Sequence, residues 1–210
     1  EATDPIKIGA ISSLTGPVPF PEATAAARAV FNRVNATGGI RGRKLRYVVA
    51  DDKADPALAA QAARRLVDQD GVVGMAGSAS LLECAVNAAF YKQKGIYAIQ
   101  GTGVDPVCFN SPNISPVNTG PYLGTTAGLY FASEVLKSTR VCMIFYGIPG
   151  FETATRQSIA RWTAITGKEL TYFDNSLGLA DDPTPARTPA PAHRAASGLM
   201  TADQRNAELR

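Results

Sequence analysis

Gly74-Met75-Ala76-Gly77-Ser78-Ala79-Ser80 stands between a short apolar run, Val72-Val73, and a helix-like run, Leu81-Leu82-Glu83-Cys84-Ala85-Val86-Asn87-Ala88-Ala89-Phe90. The order is strand, small-residue turn, helix start. A turn of this kind presents backbone N–H groups and hydroxyls at the positive end of a helix, which suits an anion such as a carboxylate. The plainer reading is a tight turn whose Ser78 caps the helix. The sequence on either side decides how much weight the binding reading carries.

Upstream, Ile6-Lys7-Ile8-Gly9-Ala10-Ile11-Ser12 reads as a buried strand, followed by a loop with Gly16, Pro17, Pro19 and Pro21. Apolar spacing predicts a helix over 22–35 with Ala26, Val30, Phe31 and Val34 on one face, stopped by Gly38-Gly39. A strand is expected over 44–50. Asp51-Asp52 and Asp55-Pro56 then open a helix through Leu58, Ala62, Leu66 and Val67. A strand over 71–75, a helix over 81–94 and a strand over 95–100 complete the run. Strict alternation predicts an α/β fold, a doubly wound parallel sheet with helices on both faces. Ligands of such sheets sit beyond the carboxyl ends of the strands. The loops 12–20, 74–80 and 100–106 occupy those ends and are expected to converge.

A loop rich in Pro, Asn and Ser spans 110–121, and the alternation then resumes: helix 122–136, strand 140–146, helix 151–166, strand 170–174. The expected organisation is a first lobe over 1–120 and a partial second lobe over 121–182. Residues 183–210 form a Pro/Ala-rich tail, expected to be extended and poorly ordered over 183–192, with a short surface helix over 200–209. The second lobe would hold two strands, too few for an independent sheet.

Composition narrows the function. The 210 residues carry 45% hydrophobic and 19% charged side chains, with a net charge of +3. This is a globular balance with no basic stripe for nucleic acid; Arg41-Gly42-Arg43-Lys44 reads as a helix-to-strand turn. No run is long and apolar enough to span a bilayer. The chain opens Glu1-Ala2-Thr3-Asp4-Pro5 and goes straight into a strand, as a secreted protein does after signal removal. Three cysteines, Cys84, Cys108 and Cys142, form no CxxC pair, and the single histidine, His193, lies in the tail, so no metal site is expected. The cysteine count fits one disulfide plus a buried thiol, or three thiols.

Catalysis has little to stand on. Ser78 and the cysteines lack a histidine partner. Gly101-Thr102-Gly103-Val104-Asp105-Pro106 starts like a dinucleotide loop but lacks the third glycine and follows the fourth strand rather than the first. No cofactor is expected. Asp51, Asp52 and Asp55 read as an acidic helix start rather than a metal site. Binding is better supported. Ser78, Ser80, Gln100 and Thr102 bring hydroxyl and amide groups to the loop edge, Phe20 and Val104 bring apolar surface, and Tyr146 and Phe151 lie at the matching strand end of the second lobe. A few polar anchors in an apolar lining describe a small-molecule pocket.

The chain resembles the periplasmic Leu/Ile/Val-binding proteins, the type I substrate-binding proteins of ABC importers. The matching segments are Ile6 through Pro17, then Asn35-Ala36-Thr37-Gly38-Gly39-Ile40-Arg41-Gly42-Arg43-Lys44-Leu45, then Asp51-Asp52-Lys53-Ala54-Asp55-Pro56. The turn from Gly74 to Ser80, Gly95-Ile96 and Asp105-Pro106 follow in order. The resemblance covers roughly 6–174, and the pattern fails after Asp182, as it would in a truncated or frameshifted gene.

The resemblance implies two lobes closing on a ligand by hinge motion and an extracytoplasmic, periplasmic or secreted, non-enzymatic protein. Its partners would be a small carboxylate-bearing solute and a membrane ABC permease. Ser78 would anchor the carboxylate, with the backbone amides of Ala79 and Thr102; Gly101 lies in the same loop, and Phe20, Val104 and Phe151 would set selectivity. Val104 stands where the family has a threonine for the ligand's ammonium group, which makes an aromatic or other organic acid a rival to a branched-chain amino acid. Lys53 and Gly77 stand where some members have cysteines; Cys84 and Cys108 are expected to pair instead, with Cys142 buried in its strand. An incomplete second lobe would favour self-association. The alternatives are a ligand-sensing ectodomain of the same fold and, less favoured, a doubly wound enzyme.

Overall fold

A computed structural model describes residues 4–147 and 151–178. The expectations for the 183–210 tail, His193 included, lie outside the described residues. The chain divides into two compact units, Glu1–Gly120 and Pro121–Arg210.

The first unit is built on a five-stranded sheet in the order β2-β1-β3-β4-β5, with every pairing parallel. The strands are β1 (Ile6–Ser12), β2 (Leu45–Asp51), β3 (Gly74–Ser78), β4 (Ala98–Gln100) and β5 (Ile114–Pro116). Helices α1 (Pro21–Ala36), α2 (Pro56–Arg64) and α3 (Glu83–Lys94) make the crossovers, and a short α4 (Pro106–Asn110) precedes β5. The parallel α/β reading holds. β5 falls inside the stretch 110–121 read as loop, and α4 fills 106–110, for which no element was expected; β5 has three residues and ends on Pro116, too little for periodicity to register.

β3 starts three residues later than Val72-Val73 suggested. A π-helical segment, Arg65–Gln69, extends α2, and the Val72 amide still donates to the Leu66 carbonyl at 3.0 Å. Val73 is 64% exposed. The strand therefore takes up Gly74 through Ser78, so most of the expected turn is sheet. Gly77 makes this possible. It sits at φ 75° in an irregularity of the β3–β4 register, and a Cβ there would lie 2.7 Å from the Ala27 Cβ and 3.0 Å from the Tyr47 hydroxyl. Gly77→Ala is expected to cost about 2 kcal/mol in denaturant unfolding, from the left-handed backbone plus overpacking.

The same close approach corrects the face of α1. Thr24 is buried, Phe31 packs edge-on to Tyr47 with ring centroids 4.8 Å apart, and Val30 points out at 59% exposure. The helix turns Ala23 and Ala27 to the sheet, so Ala26 and Val30 are outward. The core gathers Ile11, Leu66, Val72, Met75, Tyr91 and Ile96 around Cys84 and Cys108. Those two cysteines are bonded, as expected in place of the family's positions at Lys53 and Gly77, with Cα atoms 5.3 Å apart, tying α3 to α4.

The second unit holds α5 (Gly120–Tyr130), extended by a π-helical segment Phe131–Val135, then β6 (Cys142–Tyr146), α6 (Phe151–Thr166) and β7 (Tyr172–Leu177). β6 and β7 pair in parallel. Leu129, Val141, Met143 and Trp162 form its core, and the Trp162 indole donates to the Ser133 hydroxyl at 3.0 Å. Cys142 is exposed rather than buried. Alternation along β6 turns Met143 into the core and Cys142 and Ile144 to the opposite face, which the packed helices do not cover.

Candidate functional site

The carboxyl ends of β1, β2, β3 and β4 meet at one edge of the first unit, and hydrogen bonds join the loops there. The Ile11 amide donates to the Ser78 hydroxyl at 3.1 Å, and the Ala79 amide to the Ser12 hydroxyl at 2.8 Å. Ser13 and Gly101 amides donate to the carbonyls of Ala79 and Ser78 at 3.1 and 2.7 Å. The Phe20 amide donates to the Ser13 carbonyl at 2.7 Å. The three loops expected to converge do so through their backbones.

Asp52 is the hub. It is fully buried, and its carboxylate accepts from the Ser13 hydroxyl at 2.7 Å, the Ala54 amide at 3.0 Å and the Ser80 hydroxyl. Asp51 holds the loop after β1: its Oδ2 accepts from the Thr15 hydroxyl at 2.6 Å, and its Oδ1 accepts from the amides of Leu14 and Lys53. Burial works to raise the Asp51 pKa, but the Thr15 hydroxyl and the Lys53, Leu14 and Thr15 amides outweigh it and hold the carboxyl below its usual range. Asp55 alone caps α2, through the Leu58 amide at 2.9 Å. The acidic triplet read as a single helix start thus divides into one cap and two loop ties.

The serines also separate. Ser80, not Ser78, satisfies the first amides at the start of α3, whose N-cap position is Leu82: its oxygen accepts from the amides of Leu82 and Glu83 at 3.1 Å each, and it is buried. Ser78 is buried as the last residue of β3, its oxygen taken by Ile11. The Ala79 amide, expected as a carboxylate donor, is spent on Ser12. Gln100 is fully buried and lays its amide against the Cys84–Cys108 disulfide, away from the edge, with Nε2 unpartnered. Val104 is buried too, whereas Phe20, Gly101 and Thr102 are half-exposed at the loop edge. Tyr146 ends β6 and Phe151 opens α6 in the second unit; both are half-buried, and Phe151 packs against Phe145 with centroids 5.1 Å apart.

Sequence reasoning passed over Glu83. It is the first residue of α3, fully buried, and accepts from the Tyr91 hydroxyl at 2.6 Å, while its Oε2 has no hydrogen-bond partner. Burial pushes its pKa up to about 7, against the pull of the Tyr91 and Ser78 hydroxyls, and Asp52 adds to the rise. A charged residue between Leu82 and Cys84, at the apolar face of a helix start, was the available signal.

The periplasmic binding protein family model matches residues 5–208. The chain belongs to that family. The match runs past Asp182, where the pattern read from the sequence stops. An amino acid binding protein of Pseudomonas aeruginosa is 32% identical over 155 residues, covering 70% of this chain and 40% of that protein. The branched-chain amino acid transporter substrate binding protein LivJ of Streptococcus pneumoniae, solved with isoleucine, superposes with a TM-score of 0.76 at 20% identity, covering 94% of this chain and 55% of that one. A solute binding protein of R. palustris, solved with 4-hydroxybenzoate, gives 0.70 at 15% identity over 83% of this chain and 47% of that one. This periplasmic binding protein chain therefore spans about half the length of its relatives or less. Among its described residues no helix is long and apolar enough to cross a membrane.

Proposed function

We propose that this chain is the solute-binding portion of an extracytoplasmic, non-enzymatic ABC-importer component. It takes a small carboxylate-bearing solute at the edge of the first unit and passes it to a membrane permease. The joining of the loops after β1, β3 and β4 into one polar edge carries this reading. The solutes named for the relatives, isoleucine and 4-hydroxybenzoate, share a carboxylate and little else. Ser78 and Thr102 are the hydroxyl donors at the edge, with Phe20 as its half-exposed apolar lining. Ser78 uses its oxygen on Ile11, and its hydroxyl proton is the donor we assign to the solute carboxylate.

Ser78→Ala is expected to weaken binding of a carboxylate solute by about 1–3 kcal/mol in titration calorimetry, the worth of one charge-assisted hydrogen bond. Denaturation of the same variant measures the separate loss at the Ile11 amide. Unchanged affinity would leave Ser78 a purely structural residue of β3.

A further inference from the structure

β2 is an outer strand of the first unit's sheet and pairs with β1 alone among the described residues, in unbroken register from Leu45 to Asp51. The Ile6 amide donates to the Lys44 carbonyl at 2.8 Å and the Asp52 amide to the Ser12 carbonyl at 3.2 Å. The even-numbered residues of β2 therefore turn their backbone groups to β1, and Leu45, Tyr47, Val49 and Asp51 turn theirs outward. The Asn35 side chain closes the first of these: its Oδ1 accepts from the Leu45 amide at 2.7 Å and its Nδ2 donates to the Leu45 carbonyl at 2.8 Å. From Tyr47 onward the edge is open. Its three outward residues are partly exposed, and the strand carries neither a bulge nor a proline. The opposite edge, β5, has three residues and ends on Pro116, which has no N–H to offer. An outward row of backbone donors and acceptors is a template for another strand.

Beside the carboxyl end of this strand lies a groove of about 400 Å³, lined by Ala50 and Asp51 of β2 and by Leu58, Gln61, Arg64 and Arg65 of α2 and its π-helical extension. The charge it can offer a partner is positive. Asp51 spends its carboxylate on Thr15, Leu14 and Lys53. Asp68 is paired with Lys94 at 2.7 Å. Arg65 meets Asp70 at 3.7 Å with both side chains well exposed, a pair of little worth that an incoming carboxylate can replace. Arg64 holds its guanidinium 5.3 Å from the centroid of the Phe90 ring, a contact that does not occupy its N–H donors. We propose that this edge and groove take an extended acidic segment of a partner protein as an added strand, its backbone bonding Tyr47, Val49 and Asp51 and its carboxylates reaching Arg64 and Arg65. In strand addition the main-chain bonds supply affinity and alternate side chains supply specificity. Ser78 and Thr102 take no part, so the inference does not depend on the carboxylate edge.

Fluorescence anisotropy with a labelled Thr-Glu-Thr-Glu-Thr-Glu amide reads the docking directly. The peptide should bind, and its affinity should fall by about tenfold or more when Gln replaces each Glu, or when Arg64→Gln and Arg65→Gln are combined in the protein. A Pro-Glu-Pro-Glu-Pro-Glu amide keeps the charge but lacks alternate strand N–H groups, and it should bind as weakly as the Gln peptide. Val49→Pro removes an outward amide without touching the ladder to β1, and it should abolish binding with little change in the unfolding midpoint. If that variant fails to fold, the Pro-Glu peptide on the wild-type chain gives the same reading. Equal binding of the Thr-Glu and Pro-Glu peptides would reduce the groove to a basic surface and overturn the proposal. So would failure of the Thr-Glu peptide to bind. Light scattering without peptide is expected to give a mass that does not change with concentration. A concentration-dependent doubling that Val49→Pro removes would give the edge to a second copy of this chain and overturn the assignment to an acidic partner.

Discussion

Asp52→Ala is expected to remove about 3–5 kcal/mol from the stability of the first unit and to abolish solute binding with it. The magnitude follows from what the carboxylate holds. Three donors, the hydroxyls of Ser13 and Ser80 and the amide of Ala54, converge on a side chain with no solvent exposure. Hydrogen bonds to a charged acceptor contribute about 1.5–3 kcal/mol each, and buried donors left without one lose their solvation as well. The sum exceeds the expected loss because the freed serines would partly regain water. Ser13 belongs to the loop after β1 and Ser80 holds the first amides at the start of α3, so one substitution unties both loops from the end of β2. Asp52→Asn tests the charge separately. It keeps an acceptor for Ser13 but presents an amide N–H₂ toward Ser80, whose oxygen already accepts from two amides. Asn should recover less than half of the loss seen with Ala, measured by denaturant midpoint. Near wild-type stability for Asp52→Ala would mean that the three donors are satisfied without it.

Replacing both Cys84 and Cys108 by alanine is the other large change, expected to cost about 3 kcal/mol. The bond closes a loop with a sequence separation of 24, and the chain-entropy relation for that length gives a stabilisation of about 3 kcal/mol. The sulfurs are inaccessible: Cys84 is 2% and Cys108 1% exposed. A mild reductant added to folded protein should therefore leave the bond intact, and reduction should follow unfolding. The site should respond as well. Cys84 is the second residue of α3, just after the amides held by Ser80, and Cys108 lies in α4, just after the loop that carries Thr102 and Val104. Without the bond those loops keep the Gly101–Ser78 backbone contact and lose their covalent tie, and solute affinity should fall more than either alanine would cost by packing. Equal unfolding midpoints with and without the bond would contradict this account.

Much of the architecture was legible in the sequence because periodicity and punctuation agreed. Ile6 through Ser12 is a mostly apolar run, interrupted by Lys7, in an interior strand, Asp55-Pro56 is a cap followed by the first helical residue, and Gly95 ends α3 at φ 67°. The failures share a physical origin. Val72-Val73 resembles a strand by composition, but the π-helical end of α2 claims Val72 and shifts β3 along by three residues. That shift turns Ser78 from a loop residue into a strand end and hands the first amides at the start of α3 to Ser80; no local pattern distinguishes two serines two residues apart. The face of α1 was misread because the closest approach is made by Ala27 on Gly77, a contact between the two smallest kinds of residue, which apolar spacing underweights. The burial of Glu83 depends on Tyr91 two turns away and on Ser78 in another element. Tertiary partners of that kind are not written in local sequence.

The most direct test of the carboxylate-binding edge is a paired titration of this chain with leucine and leucinamide, and with 4-hydroxybenzoate and 4-hydroxybenzamide. The account predicts that at least one acid binds and that its carboxamide, matched in shape but without the negative charge, binds tenfold or more weakly. Equal affinity for an acid and its amide, or no binding by either acid, would contradict it.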